Sequence, residues 1–444
     1  MEVTLAALAP RSWVPLHCDE FAQRLAQQTS HQTTDAVMEA IAGSIELNRS
    51  IHESDCINLN PATNVMNPKA EAALACGLGS RPSLGYPGDK YEMGLEGVER
   101  IEVIAAELAA EVFGAKYAEI RVPSGAIANL YAFMVAARPG ETIIVPSPAV
   151  GGHVSHNMAG CAGLYGLDIR AAPVDADRYT VDVGKLRDLA KSTMPKMITI
   201  GGSLNLLPHP IREIRAIADE VGALVLFDAA HLCGMIAGHA WQQPLQEGAH
   251  LMTMSTYKSL GGPASGLIVT NDAAIAEKLD RIAFPGMTAN FDAAKSAALA
   301  ITLLDWKEHG RAYAATLART ADALARSLAD RGLPVFSTGM GYTTSHQFAI
   351  EAAAFGGGQA AARKLRLANI LSCGIGLPID SVEGDMNGLR LGTPEIVRWG
   401  MTEDDMPELA ALIARGLRGN DPSERVAADV TAFRRRFNKL HFVN

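Results

Sequence analysis

Long apolar runs are missing from this chain of 444 residues: none reaches the ~18 residues a helix needs to cross a membrane. The opening Met1-Glu2-Val3 lacks the basic stretch that begins a signal peptide. Cysteine is sparse: Cys18, Cys56, Cys76, Cys161, Cys233 and Cys373 are scattered, with no CxxC pair and no metal spacing. That pattern predicts free buried thiols in a reducing cytosol rather than disulfides or a metal centre. Positive charge is short as well, 39 Lys and Arg against 48 Asp and Glu for a formal charge of -9, which argues against nucleic-acid binding. The run Arg434-Arg435-Arg436 reads as a solvated helix face. What remains, at 48% hydrophobic and 20% charged, is a soluble cytoplasmic globular protein long enough for two or three domains.

Residues 1–55 are polar and helix-prone and read as an arm that packs on a partner subunit. From residue 56 to about 315, strand-like runs alternate with helical ones, the pattern of a mostly parallel sheet covered by helices. The candidate strands are 118–122, 142–146, 197–200, 223–227, 250–254 and 266–270. Asp292 is suited to cap a helix that stops at Gly310, followed by a second helix over about 313–331. Residues 316–444 then mix strands (345–350, 388–391) and helices, the composition of a smaller α+β domain.

Two segments carry chemistry. Phe227-Asp228-Ala229-Ala230-His231 ends one buried strand with a carboxylate, and Ser255-Thr256-Tyr257-Lys258 ends the next with an amine. Open α/β sheets bind ligands at the carboxyl ends of their strands. An Asp and a Lys delivered there suit pyridoxal phosphate, which needs an amine to attach it and an anion against its ring nitrogen. Ser124-Gly125-Ala126-Ile127-Ala128-Asn129 follows a strand and opens a helix, where small residues let N–H groups meet a phosphate, although serine is also a common helix cap. Gly151-Gly152-His153 follows the next strand and could set a ring against a pyridine face.

In this order the motifs resemble the serine hydroxymethyltransferase family, within the aspartate-aminotransferase-like fold of pyridoxal-phosphate enzymes. The matching segments are Gly85-Tyr86-Pro87-Gly88, Ser124-Gly125 with Ala128-Asn129, Gly151-Gly152-His153-Val154-Ser155-His156, Asp228-Ala229-Ala230-His231, Lys258-Ser259-Leu260-Gly261-Gly262-Pro263, Phe284-Pro285-Gly286 and Gly388-Leu389-Arg390-Leu391-Gly392-Thr393-Pro394. The resemblance implies a mostly parallel seven-stranded α/β large domain, a small C-terminal α+β domain, and a homodimer with shared active sites. It also implies that Lys258 attaches the cofactor, Asp228 pairs with its ring nitrogen, His153 stacks on the ring and His231 lies near the ring hydroxyl. Ser124 and Gly125 would hold the phosphate, with Ser203 and Ser255 as further cofactor-side hydroxyls. Arg390 would bind the substrate carboxylate, for which a guanidinium fork is the natural group. Thr63, Tyr91 and Glu92 fall on the substrate side, and Tyr257 and Tyr91 join the histidines among candidate catalytic groups.

Departures from the family pattern fall on that side. Pro82-Ser83-Leu84 replaces a Tyr-Ala-Glu, so a proton-handling carboxylate becomes a leucine that can neither donate nor accept. Tyr91-Glu92 stands for Tyr-Tyr, Ala62-Thr63-Asn64 for Ser-Glu-Asn, Tyr257 for a histidine, and Ala289-Asn290 for a Gly-Gly that meets the neighbouring subunit's phosphate. The expectation is a folate-independent aldolase acting on a β-hydroxy-α-amino acid, such as α-methylserine giving alanine and formaldehyde. A substrate lacking a Cα hydrogen depends less on the altered proton-handling groups. The alternatives are a tetrahydrofolate-dependent serine or α-methylserine hydroxymethyltransferase and an L-threonine transaldolase.

Overall fold

The computed structural model describes residues 8–444. They form two units, the chain dividing between Cys56 and Ile57. The first holds two helices, α1 (Leu16–Ser30) and α2 (Thr34–Arg49), the second started by Thr33, whose hydroxyl accepts the Ala36 N–H at 3.3 Å. Neither helix buries a residue, and Phe21, Met38, Ile41 and Ile45 all lie exposed.

In the second unit a seven-stranded sheet contains β1 (Tyr117–Glu119), β2 (Thr142–Val145), β3 (Asp168–Ala171), β4 (Met197–Gly201), β5 (Leu224–Asp228), β6 (Leu251–Ser255) and β7 (Gly266–Thr270). The order is β1-β7-β6-β5-β4-β2-β3, with β7 antiparallel to both neighbours and the remaining pairs parallel. Every residue of β4, β6 and β7 is buried, as strands covered on both faces must be. The helix α3 (Glu96–Phe113) inserts Val98, Ala105, Leu108, Ala109 and Val112, an apolar stripe at helical spacing, and ends at Gly114 with φ of 59°. On α4 (Gly125–Ala136) seven of twelve residues are buried, Asn129 among them.

All six expected strands of this sheet are present; β3, a half-exposed edge strand, has no apolar run to announce it. One expectation is corrected. The helix does not stop at Gly310: α5 runs unbroken over Ala293–Ala329, 37 residues, capped by Asp292 on the Ala294 N–H at 3.0 Å. The boundary expected at 315 therefore falls inside a helix. Gly310 lies against Gly238: a β-carbon on Gly238 would come within 2.3 Å of the Gly310 carbonyl oxygen, and one on Gly310 would lie 3.0 Å from Trp306 Cε3.

Beyond α5 a three-stranded antiparallel sheet contains β8 (Gln347–Glu351), β9 (Cys373–Ile375) and β10 (Gly388–Gly392), with β10 in the middle. In its register Cys373 lies directly opposite Arg390. All six cysteines are free, but only Cys56 and Cys233 are fully buried; Cys18 and Cys76 are exposed. No helix among the described residues is long and apolar enough to cross a membrane.

Candidate active site

Strands β4, β5 and β6 deliver Gly201, Asp228 and Ser255 to one edge of the sheet. Asp228 is buried and surrounded by donors. Its Oδ1 accepts the Ala230 N–H at 2.9 Å, and its Oδ2 accepts from His156 Nε2 at 2.7 Å and Asn129 Nδ2 at 3.0 Å. Burial pushes this carboxyl up, but the hydrogen bond and charge of His156 and the backbone bond outweigh it and hold Asp228 below the usual carboxylate range. Asn129 is itself fixed, donating to Ser155 Oγ at 2.9 Å and accepting from Thr253 Oγ1 at 2.7 Å.

Lys258 follows β6 in a tight loop and is buried, its Nζ 3.1 Å from His231 Nε2. Burial, aided by the neighbouring Arg390 charge and opposed by the attraction of Asp228, lowers the amine to about 8. His231 is pushed well below its ordinary value by burial and by the positive charges of Lys258 and Arg390. With Nε2 facing two donors, neutral His231 carries its hydrogen on Nδ1, an atom with no partner. His153 accepts the Ser155 N–H on Nδ1 at 3.2 Å, and burial lowers it to about 4, so at neutral pH it is an uncharged ring with its hydrogen on Nε2.

Ser124 caps α4 by accepting the Ile127 N–H at 3.2 Å. Next to it, a β-carbon on Gly125 would fall 1.9 Å from Ser255 Oγ, so only glycine lets the helix N-terminus close on that hydroxyl. A helix N-terminus between two serines is an anion cradle. Arg390, on β10, is only 6% exposed. Its Nη1 donates to the Ser203 carbonyl and lies 3.4 Å from His231 Nε2, its Nη2 donates to Cys373 Sγ at 3.1 Å, and its Nε has no partner. No carboxylate is among these hydrogen-bond partners.

These residues fit pyridoxal phosphate on structural grounds: an anion cradle, an ionised carboxylate, a depressed amine, a neutral ring, and orphaned nitrogens on His231 and Arg390. Of the expected residues, Ser203 contributes a carbonyl that holds Arg390. Tyr257 lies next to Lys258, half-buried, and burial raises its phenol. Thr63 is turned to Asn58, whose Nδ2 donates to its hydroxyl at 2.7 Å. Tyr91 is 81% exposed on a hairpin, and Glu92 beside it accepts the Leu84 N–H at 3.4 Å. The altered segments meet one another: Ser83 N–H donates to Asn290 Oδ1 at 2.9 Å, while the Ser83 hydroxyl donates to Glu102, the buried partner of Lys90 at 2.5 Å. His156, Asn129 and Cys373 complete the arrangement, and none had been assigned a role from sequence. His156 and Asn129 each carried one signal, their places in the Gly151-Gly152-His153-Val154-Ser155-His156 and Ser124-Gly125 with Ala128-Asn129 segments.

The serine hydroxymethyltransferase family model matches residues 32–413. An alpha-methylserine aldolase from Ralstonia sp is 65% identical over 98% of this chain and 100% of its own length. A serine hydroxymethyltransferase from Pyrobaculum arsenaticum is 37% identical over 91% of this chain and 94% of its own. The crystal structure of L-threonine transaldolase from Pseudomonas fluorescens shares the fold, with a TM-score of 0.83 over 95% of both chains at 23% identity. The fold and site define an enzyme of the pyridoxal-phosphate-dependent aldolase and hydroxymethyltransferase class. The chain belongs to the serine hydroxymethyltransferase family.

Proposed function

We propose that this enzyme cleaves α-methylserine to alanine and formaldehyde without tetrahydrofolate. The observation that carries the reading is the contrast in likeness: 65% identity over the full length to a protein named alpha-methylserine aldolase, against 37% to a serine hydroxymethyltransferase. Leu84 supports it, because a leucine at that position cannot move a proton.

Bound pyridoxal phosphate supplies the electron sink for negative charge developing at Cα. The chain's residues do the rest. Ser124, Gly125 and Ser255 would hold the phosphate at the start of α4. Asp228, kept ionised by His156 and the Ala230 N–H, would hold a proton on the ring nitrogen, and His153 would cover the ring face. Lys258, at about 8, has a neutral and nucleophilic fraction at physiological pH. His231 Nε2 accepts or returns a proton at Lys258 Nζ, 3.1 Å away. Arg390 orients the substrate through its carboxylate. Cleavage takes the proton from the β-hydroxyl, breaks the Cα–Cβ bond, releases formaldehyde and returns a proton to Cα.

The same reading makes the protein a cytoplasmic homodimer. Its support is the six free thiols and the exposed apolar residues of α1 and α2. Supplied with α-methylserine, serine, threonine and phenylserine in the absence of folate, the cofactor-loaded enzyme should release most aldehyde from α-methylserine. Release from none of the four would overturn the reading. Product formation only when a second aldehyde is added would favour a transaldolase instead.

A further inference from the structure

Arg390 is held in an unusual way for a buried guanidinium. Its Nη1 is tied to the Ser203 carbonyl, but on the other arm its partner is a thiol, Cys373 Sγ at 3.1 Å. The contact is built into the sheet. Cys373 on β9 pairs directly with Arg390 on β10, and such opposed residues project side chains from the same face. The sulfur also reaches Asn60 Oδ1 at 3.3 Å, and that oxygen accepts the Ala62 N–H at 3.1 Å. Sulfur can accept one hydrogen and donate another. Arg390 donates to it, and its own S–H points to Asn60. The thiol thus joins the guanidinium to the 58–63 loop, where Asn58 in turn donates to Glu395 at 2.6 Å and to Thr63 at 2.7 Å.

We propose that Cys373 is a positioning residue for the substrate carboxylate, fixing the Arg390 guanidinium so that its unpartnered Nε edge faces the amino acid. This rests on the reading of Arg390 as the carboxylate-binding group. A thiol suits the task better than a carboxylate. It restrains the plane of the guanidinium as a weak acceptor, and it leaves the positive charge uncompensated for the substrate. An aspartate or glutamate at 373 would neutralise the charge that the substrate has to meet. The half-exposed position of Cys373, unlike the fully buried Cys56 and Cys233, places it at a site margin rather than in the core.

The test uses the holoenzyme with Cys373→Ala, Cys373→Ser and, as a control for the underlying reading, Arg390→Lys. Cys373→Ala is expected to raise KM for α-methylserine about tenfold, the size of a lost hydrogen bond to a charged group, with kcat within about twofold. Cys373→Ser, which keeps one donor and one acceptor, should recover most of the loss. Binding of alanine should weaken in Cys373→Ala, whereas binding of alaninamide, which has no carboxylate, should not. An unchanged KM in Cys373→Ala, or equal losses for alanine and alaninamide, overturns the proposal. If Arg390→Lys also leaves KM and alanine binding unchanged, the carboxylate reading of Arg390 fails with it. If Arg390→Lys raises KM and Cys373→Ala does not, only the role of Cys373 falls.

Discussion

Lys258→Ala protein, purified with added pyridoxal phosphate, is expected to show no visible absorption band from covalently held cofactor and at least about a thousandfold loss of aldehyde release. The amine is buried beside His231 and lowered to about 8, conditions that favour a neutral nucleophile. Alanine removes that amine and leaves His231 Nε2 without a donor from that side. In the native protein the neutral fraction of a free Lys258 grows as pH rises toward 8 and levels off above it. Cofactor uptake by the stripped enzyme should therefore accelerate about tenfold per pH unit below 8 and flatten beyond. A retained band in the alanine variant would remove Lys258 from its assigned place.

Asp228→Asn should cost about two to three orders of magnitude in kcat, with the fold preserved. All three groups that meet the carboxylate are donors: the Ala230 N–H, His156 Nε2 and Asn129 Nδ2. An asparagine presents an NH2 to one side of that set. His156 can relieve part of the conflict, because its Nδ1 has no partner and its hydrogen can move there, turning Nε2 into an acceptor. The amide of Asn129 has no such freedom, since its oxygen already accepts from Thr253 at 2.7 Å. The substitution thus removes the negative charge that holds a ring nitrogen protonated while leaving most of the network intact. Circular dichroism and the cofactor spectrum would separate loss of charge from loss of fold. Native-like kcat in a folded, cofactor-loaded variant would remove Asp228 from the mechanism.

These two residues were legible in the sequence because each ends a buried apolar run, and the end of a strand is where an α/β sheet exposes its chemistry. Their supports were not. His156 lies 72 residues before Asp228, and the bond exists only because β2 and β5 share one sheet with β4 between them. Cys373 looked like one more scattered cysteine until the register of β9 and β10 set it against Arg390. Gly310 illustrates the opposite error. A glycine after a helical run reads as a stop, yet α5 continues through it, and a β-carbon there would press on Trp306 Cε3 at 3.0 Å. Tyr91 and Glu92 were placed on the substrate side by resemblance, and the hairpin that carries them is exposed on a single chain. Sequence patterns report local periodicity and the ends of strands well. They do not report which distant donors converge on a buried carboxylate.

One measurement bears most directly on the function proposed for this enzyme: formaldehyde and alanine quantified together from α-methylserine, and formaldehyde from serine, each with and without tetrahydrofolate. Equal amounts of alanine and formaldehyde from α-methylserine, at a rate unchanged by folate, are the predicted result. Turnover of serine alone, and only with folate present, would contradict it and return the protein to the parent hydroxymethyltransferase activity.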